Sequence, residues 1–289
     1  MQSKYKLAER AVLMRMSAGL PGKNRTDKGL SASVKSEHGL GQKSGRWIKT
    51  KYPEWALQPL EKLVTEARAY HAAVTLPFDS GIGILPAALI KEYGDKMRQF
   101  RGQFDNLVQS HFVPKYPEMV EWAKQEHNGT FDASDYPAVE ELIGAFYFRT
   151  EPLPVPDAQH FEGTMSSLLG VDAEGVNVRV QDAMQEAQKE LMRRMIEPVS
   201  AMAAKLAEQP KQGKEDICFR DSLVGNVQTI AELVPKLNIA GDPQLDAFAA
   251  DMMKLTLYSP QGLRDDKATR AEAAKLASET MKRLSSYSL

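Results

Sequence analysis

Between positions 23 and 49 the chain sets Lys23, Arg25, Lys28, Lys35, Lys43, Arg46 and Lys49 among glycines and beside Trp47. These residue types suit recognition of an anion more than the making or breaking of bonds. Cationic side chains reach phosphates, an aromatic ring stacks on an unpaired base, and glycines allow backbone amides to approach closely. An acidic protein surface would satisfy the same cations, and so would the rest of this chain. Residues 1–51 hold 12 Lys/Arg against Glu9, Asp27 and Glu37, a net +9, whereas the remainder holds 25 against 35, a net −10. A nearly neutral total therefore hides a basic head on an acidic body, and such a split points to a polyanion or an acidic partner. Folding of the head onto the body, or plain solvation, is the bland alternative.

Other chemistries find little support. Gly39-Leu-Gly-Gln-Lys-Ser-Gly45 resembles a phosphate loop only superficially. It lacks the Gly-Lys-Ser/Thr triplet of a P-loop, and it has neither the spacing nor the preceding strand of a dinucleotide fingerprint. A backbone nest that cups an anion is compatible with it, as is a flexible loop. His38, His71, His111, His127 and His160 are scattered without metal-ligand spacing, so no metal and no cofactor are expected. His71 and His111 fall on apolar stripes, where a hydrogen-bonded core histidine is usual. The single cysteine, Cys218, excludes an intramolecular disulfide, suits a small core residue and fits a reducing cytoplasm. No Gly-x-Ser-x-Gly elbow occurs. The chain is expected not to be an enzyme; an enzymatic reading would need a hollow that gathers His71, Asp79 and a carboxylate at hydrogen-bond distance.

The elements that must carry these residues are mostly helical. Val12, Met14, Met16 and Ala18 alternate with Leu13, Arg15 and Ser17, which predicts a strand over 11–18 ending at Gly19-Leu-Pro-Gly22; residues 4–16 also fit a short helix. The next residues to about Tyr52 read as polar and irregular, with one short helix over 30–38 capped by Ser31. Trp55, Leu60, Leu63, Val64, Ala67 and His71 make one stripe of a helix over 54–74. Thr75–Pro86 reads as a compact loop. Leu89, Tyr93, Met97, Phe100, Phe104, Leu107 and His111 step by three and four, a heptad-like seam on a helix over 87–112 that Pro114 and Pro117 should end. A short helix to about Gln125 follows, then one capped near Asp132–Asp135 and running to Gly144. Phe146–Thr150 reads as a strand able to pair with 11–18.

Pro152, Pro154 and Pro156 mark the best domain boundary. Beyond it, 178–208 predicts a long helix with Met184, Leu191, Met195, Val199, Met202 and Leu206 on one side and a kink at Pro198. Residues 209–215 read as a linker, and 219–237, 243–257 and 263–284 as three more helices. The expected organisation is a basic Gly-rich head with one strand (1–52), a helical domain with a returning strand (53–156) and a C-terminal helical domain (157–289). The fold class is mainly α with a small β element (α+β), built from long helical hairpins with coiled-coil-like packing. No apolar run is long enough for a membrane span or a signal-peptide core, so the expected location is the cytoplasm, with no membrane partner.

Several short motifs occur in an order that is similar to one family. They are Asp27-Lys28 with Gly45-Arg-Trp-Ile-Lys49, Ala67-Arg-Ala-Tyr-His71, Thr75-Leu-Pro-Phe-Asp-Ser-Gly81 and Ile84-Leu-Pro86. Phe112–Pro117, Phe131–Pro137, Pro152–Phe161, Phe219–Asn226 and Leu237-Asn-Ile-Ala-Gly-Asp-Pro243 complete the set. Together they resemble an uncharacterised domain-of-unknown-function family of bacteriophages and integrative elements. Its genes often lie beside a MoxR-type AAA+ ATPase, like that of cobalt chelatase, and a von Willebrand A-domain protein. The resemblance implies context, a phage protein in a bacterial host cell with such a partner, and no catalytic residues. Leu20-Pro-Gly-Lys23 and Ile84 depart from the family, which often has Trp and Arg near the first and Arg at the second.

The resulting expectation is a non-enzymatic accessory or adaptor protein. Its head would bind DNA, RNA or an acidic partner, and its helical body would dock a protein such as the ATPase or a second copy of itself. The alternative is a phage sequestering or inhibitory protein that captures a host defence factor or a nucleotide-type ligand.

Overall fold

The computed structural model describes residues 7–157, 173–208 and 220–287. Its architecture is mainly α with a small β element. In chain order the elements are α1 (Leu7–Arg10), β1 (Ala11–Gly19), β2 (Asn24–Asp27), α2 (Lys28–Glu37), β3 (Trp47–Thr50), α3 (Glu54–Val74), β4 (Leu76–Asp79) and β5 (Ile82–Pro86). Then come α4 (Ile90–Leu107), α5 (Val113–His127), α6 (Val139–Ile143), β6 (Tyr147–Leu153) and α7 (Ala173–Ala207). The last four are α8 (Asp221–Leu237), α9 (Pro243–Leu255), α10 (Pro260–Asp265) and α11 (Lys267–Ser285). One sheet has the order β4-β5-β1-β6, so the strands expected over 11–18 and 146–150 are neighbours; β2 and β3 form a separate ribbon. Among the described residues no helix is long and apolar enough to cross a membrane.

The chain divides into two compact units that interleave in sequence. Among the described residues, the first comprises 7–15, 71–92, 152–157, 173–208 and 220–287. Here the stretch expected to be a loop, Thr75–Pro86, is instead the β4–β5 hairpin, paired Leu76↔Ile84 with a bulge between Pro77 and Asp79. Gly81 makes its turn at φ 71°. Prolines and glycines suggested irregularity, but Pro77 lies on an edge strand, where a missing N–H is tolerated. Gly83 is needed because a Cβ there would lie 2.5 Å from Thr75 Oγ1. β1 completes the pairing, from Ala11↔Pro86 to Arg15↔Ile82.

Helix α7 packs against β4, α8 and α11. It buries Leu191, Met195, Val199 and Met202 on one stripe and runs through Pro198 without interruption. Helices α8 and α9 form a hairpin whose link is fixed by polar bonds. Asn238 Nδ2 donates to Asp242 O at 2.8 Å, Asp242 N donates to Asn238 Oδ1 at 3.0 Å, and Asp242 caps α9 through Gln244 N. The single helix expected over 263–284 is two, because Asp266 adopts extended backbone and caps α11 by accepting from Ala268 N and Thr269 N.

The second unit comprises 16–70 and 93–151. Its core is aromatic. Tyr52 meets Phe112 and Tyr136 edge-on, with ring centroids 5.7 and 6.5 Å apart, and Phe104 packs on Phe148 at 5.8 Å. Pro114 and Pro117 do not end the helix before them. Residues Val108–Phe112 form a π-turn that feeds α5, with Pro114 in the first turn of that helix. A widened turn relieves the missing N–H and the ring clash that a proline would impose on a continuous α ladder. It also shifts the seam: Phe104, Val108, Phe112 and Tyr116 are buried at steps of four, whereas Leu107 and His111 are only half-buried. The helix expected over 132–144 is likewise broken. Asp132 caps a single 3-10 turn over Ala133–Asp135, and α6 starts after Pro137. Trp55, expected on the buried stripe of α3, is exposed while Ala56 and Leu57 are buried.

Candidate functional site

Residues 16–52 of the basic head belong to the second unit and are more ordered than their composition suggests. β2 and β3 pair antiparallel, from Asn24↔Thr50 to Asp27↔Trp47, and α2 fills part of the connection between them. The cap of α2 is Asp27, not Ser31; its carboxylate accepts from Leu30 N at 2.9 Å. Ser31 instead ties the element together, donating to Asp27 O and accepting from Trp47 N at 2.8 Å. The helix ends in a Schellman arrangement. Leu40 N donates to Lys35 O at 2.8 Å and Gly39 N to Ser36 O at 3.4 Å, with Gly39 at φ 62°.

Three of the eight candidate residues are held in internal pairs. Lys49 is buried, lies 2.6 Å from Asp27 Oδ2 and donates to Thr130 O. This pair and the cap bonds hold the Asp27 carboxyl below the usual carboxylate range. Arg25 pairs with Asp135, and Lys23 lies 2.6 Å from Glu61. His127 adds Nε2 at 2.9 Å from Thr50 O. These links fasten the ribbon to its own unit, so the charges of Lys23, Arg25 and Lys49 are largely compensated.

The other five point a different way. Lys28, Lys35 and Arg46 line an open hollow of about 890 Å³ between α2 and the loop after it, together with Thr26, Ser31 and Ser36. Among the described residues no carboxylate lines it. Lys35 donates to Gln42 O at 2.5 Å, which folds the Gly-rich loop over the helix end. Ser44 N donates to Gly41 O at 3.0 Å, so that loop is a turn with an internally used amide. Lys28, Lys43 and Arg46 are exposed and make no ion pair among the described residues. Trp47, next to Arg46, is half exposed, as are Ile48 and Leu40. Exposed apolar side chains beside uncompensated cations suit an anion that also has a flat apolar face.

A second hollow, of about 450 Å³ in the first unit, gathers His71, Asp79, Glu186, Glu190 and Arg194. Sequence spacing did not link α7 to this group. Arg194 donates to Ala72 O, Ala73 O and Thr75 O, each at 2.9 Å, and to Glu190 at 2.8 Å. It thereby caps the C-terminus of α3, where a cation is favoured. The hydrogen bond from Arg193, opposed next by the cost of burial and reinforced by the bond from Arg194 and the charges of both arginines, holds the Glu190 carboxyl at about 2. Asp79 is lowered by its bond from Ser80 N and by Arg179, and burial lowers the His71 imidazole. Asp79 and Glu190 are engaged by arginines, and Glu186 lies 3.7 Å from Lys189, which suits a structural joint.

The remaining histidines are dispersed: His38 is exposed, and His111 Nε2 lies 3.1 Å from Trp55 O. Cys218 and His160 lie outside the described residues, among which no group of His, Cys, Asp or Glu gathers to hold a metal. Compared with known proteins, the chain matches no family model, no curated protein and no solved structure.

Proposed function

We propose that this chain is a non-enzymatic accessory or adaptor protein of a bacteriophage or mobile element. Its head binds a polyanion, with nucleic acid the best fit. Its body docks a protein partner, for which the motif resemblance suggests a MoxR-type ATPase or a von Willebrand A-domain protein. The observation that carries the head's role is the hollow where Lys28, Lys35 and Arg46 converge with no carboxylate among the described lining residues. Lys43 and Trp47 extend the same exposed stretch. Lys23, Arg25 and Lys49 support it by shaping the ribbon. An acidic protein is the competing ligand for these cations.

The test is a fluorescence-anisotropy titration of single-stranded and duplex DNA and RNA over a range of salt. Four phosphate contacts, from Lys28, Lys35, Lys43 and Arg46, give a slope of log affinity on log salt of about −2.8 for single strands and about −3.6 for duplex DNA. Absence of salt-dependent binding to any of these probes removes the nucleic-acid reading. A second reading, capture of a nucleotide-type ligand by a sequestering protein, is favoured by the size of the hollow, which falls in the range of small-ligand sites. Mass spectrometry of what co-purifies separates the two, since a bound nucleotide favours capture.

A further inference from the structure

A groove of about 560 Å³ in the second unit runs between β6 and α4. It is lined by Phe146 through Glu151 in unbroken succession, and across from them by Gly94, Met97, Arg98, Arg101 and Asp105. Side chains of a strand alternate between its faces, so a hollow on one face would be lined by every second residue. Lining by consecutive residues means that the groove follows the edge of the strand. β6 is the last strand of its sheet, so its outer edge has no strand partner among the described residues. Such an edge presents unpaired N–H and C=O groups and is a template for an added strand.

The charges flanking the edge select the occupant. Arg98 and Arg101 are strongly exposed and, among the described residues, hold only pairs within their own helix, Arg98 with Asp95 and Arg101 with Asp105 at 3.9 Å. Exposed pairs of this kind are weak and exchange partners readily. Arg149 stacks over Tyr147, 5.1 Å from the ring centroid, and makes no ion pair among the described residues. Pro152 lacks an N–H and bounds the usable edge at its end.

We propose that this groove docks an acidic, extended segment of a partner protein, which adds as a strand to the outer edge of β6 while Arg98, Arg101 and Arg149 take up its carboxylates. The groove adds a docking site to the adaptor reading and shares no residue with the head hollow, so either can fail alone.

The test is fluorescence anisotropy with a labelled peptide of about ten residues alternating Val and Glu, long enough to span the edge. Two versions carry N-methyl groups on alternate amides, one on each edge of the peptide, and a third has Lys in place of Glu. The acidic peptide should bind saturably and the lysine version should not. One N-methylated version should lose binding and the other keep it, because only one edge of the peptide faces β6. The triple variant Arg98→Glu, Arg101→Glu, Arg149→Glu should bind at least about tenfold more weakly. Lys28→Glu with Arg46→Glu should leave peptide binding unchanged. Absence of saturable binding up to about 1 mM overturns the proposal. Equal binding of both N-methylated versions to the unaltered protein also overturns it, and that readout does not depend on whether the triple variant folds.

Discussion

Lys49 Nζ lies 2.6 Å from Asp27 Oδ2, and the same carboxylate caps α2 through Leu30 N. One ion pair thus joins the two strands of the head ribbon to the start of its helix, and Lys49 carries the link on to Thr130. A lysine that composition assigns to ligand binding is a buried structural group. Substituting Lys49→Met should lower the urea midpoint clearly, because it leaves Asp27 without its cation. Lys23→Met, whose pair with Glu61 is far more exposed than that of Lys49, should change stability by no more than about 1 kcal/mol. Equal effects of the two would contradict the assignment.

The head hollow makes a separate prediction. Lys28→Glu and Arg46→Glu should each weaken nucleic-acid binding and flatten its salt slope by about one contact, near 0.7 for a single strand. Their thermal midpoints should match that of the parent chain, since neither side chain is in an ion pair among the described residues. A slope that does not move would place the contacts elsewhere.

Tyr52 is buried, and its hydroxyl meets no hydrogen-bond partner among the described residues. Burial, followed by the neighbouring Tyr116 and Tyr136, pushes that hydroxyl far above the usual phenol range. Tyr52→Phe should therefore leave stability unchanged or raise it by about 1 kcal/mol. Tyr52→Ala, which empties the aromatic cluster, should cost about 3–5 kcal/mol. Denaturant unfolding distinguishes these outcomes.

Acid should loosen the joint around Arg194. Glu190 titrates at about 2 in the folded chain against an ordinary 4.5, so its contribution is complete above pH 4.5 and is lost as pH falls towards 2. Because the group is partly solvated, that contribution is on the order of 1 kcal/mol. Stability measured from pH 5 to pH 2.5 should fall more steeply for the parent chain than for Glu190→Gln. Arg194→Ala should cost about 2 kcal/mol at neutral pH through the lost carbonyl contacts.

The β4–β5 hairpin gives the last prediction. Gly83→Ala would place a methyl 2.5 Å from Thr75 Oγ1 and should cost about 1–3 kcal/mol. Thr75→Ser removes the nearby methyl but keeps that oxygen, so it should restore only part of the loss.

Many of the motifs that stood out in the sequence are joints of the fold. Asp242 caps α9 and accepts from Tyr287, and Gly241 before it turns at φ 65°, a backbone conformation that favours glycine. Tyr116 donates to Pro137 O at 2.8 Å, and Tyr136 stacks on Phe131. Short, ordered motifs therefore mark places where polar groups must meet.

Periodicity by itself determined the helices that bury one face, such as α3 and α7, and the alternation of β1, because burial imposes a repeat that survives in the residue order. Composition by itself determined that a basic head adjoins an acidic body. The tertiary structure alone decided which cations of that head are compensated. Lys49 and Asp27 stand 22 positions apart, and Arg25 and Asp135 lie 110 apart, and no local pattern records such a meeting. It also decided that Thr75–Pro86 pairs as a hairpin and that the chain passes Pro114 through a π-turn. Both depend on hydrogen bonds and packing with partners that residue order does not specify.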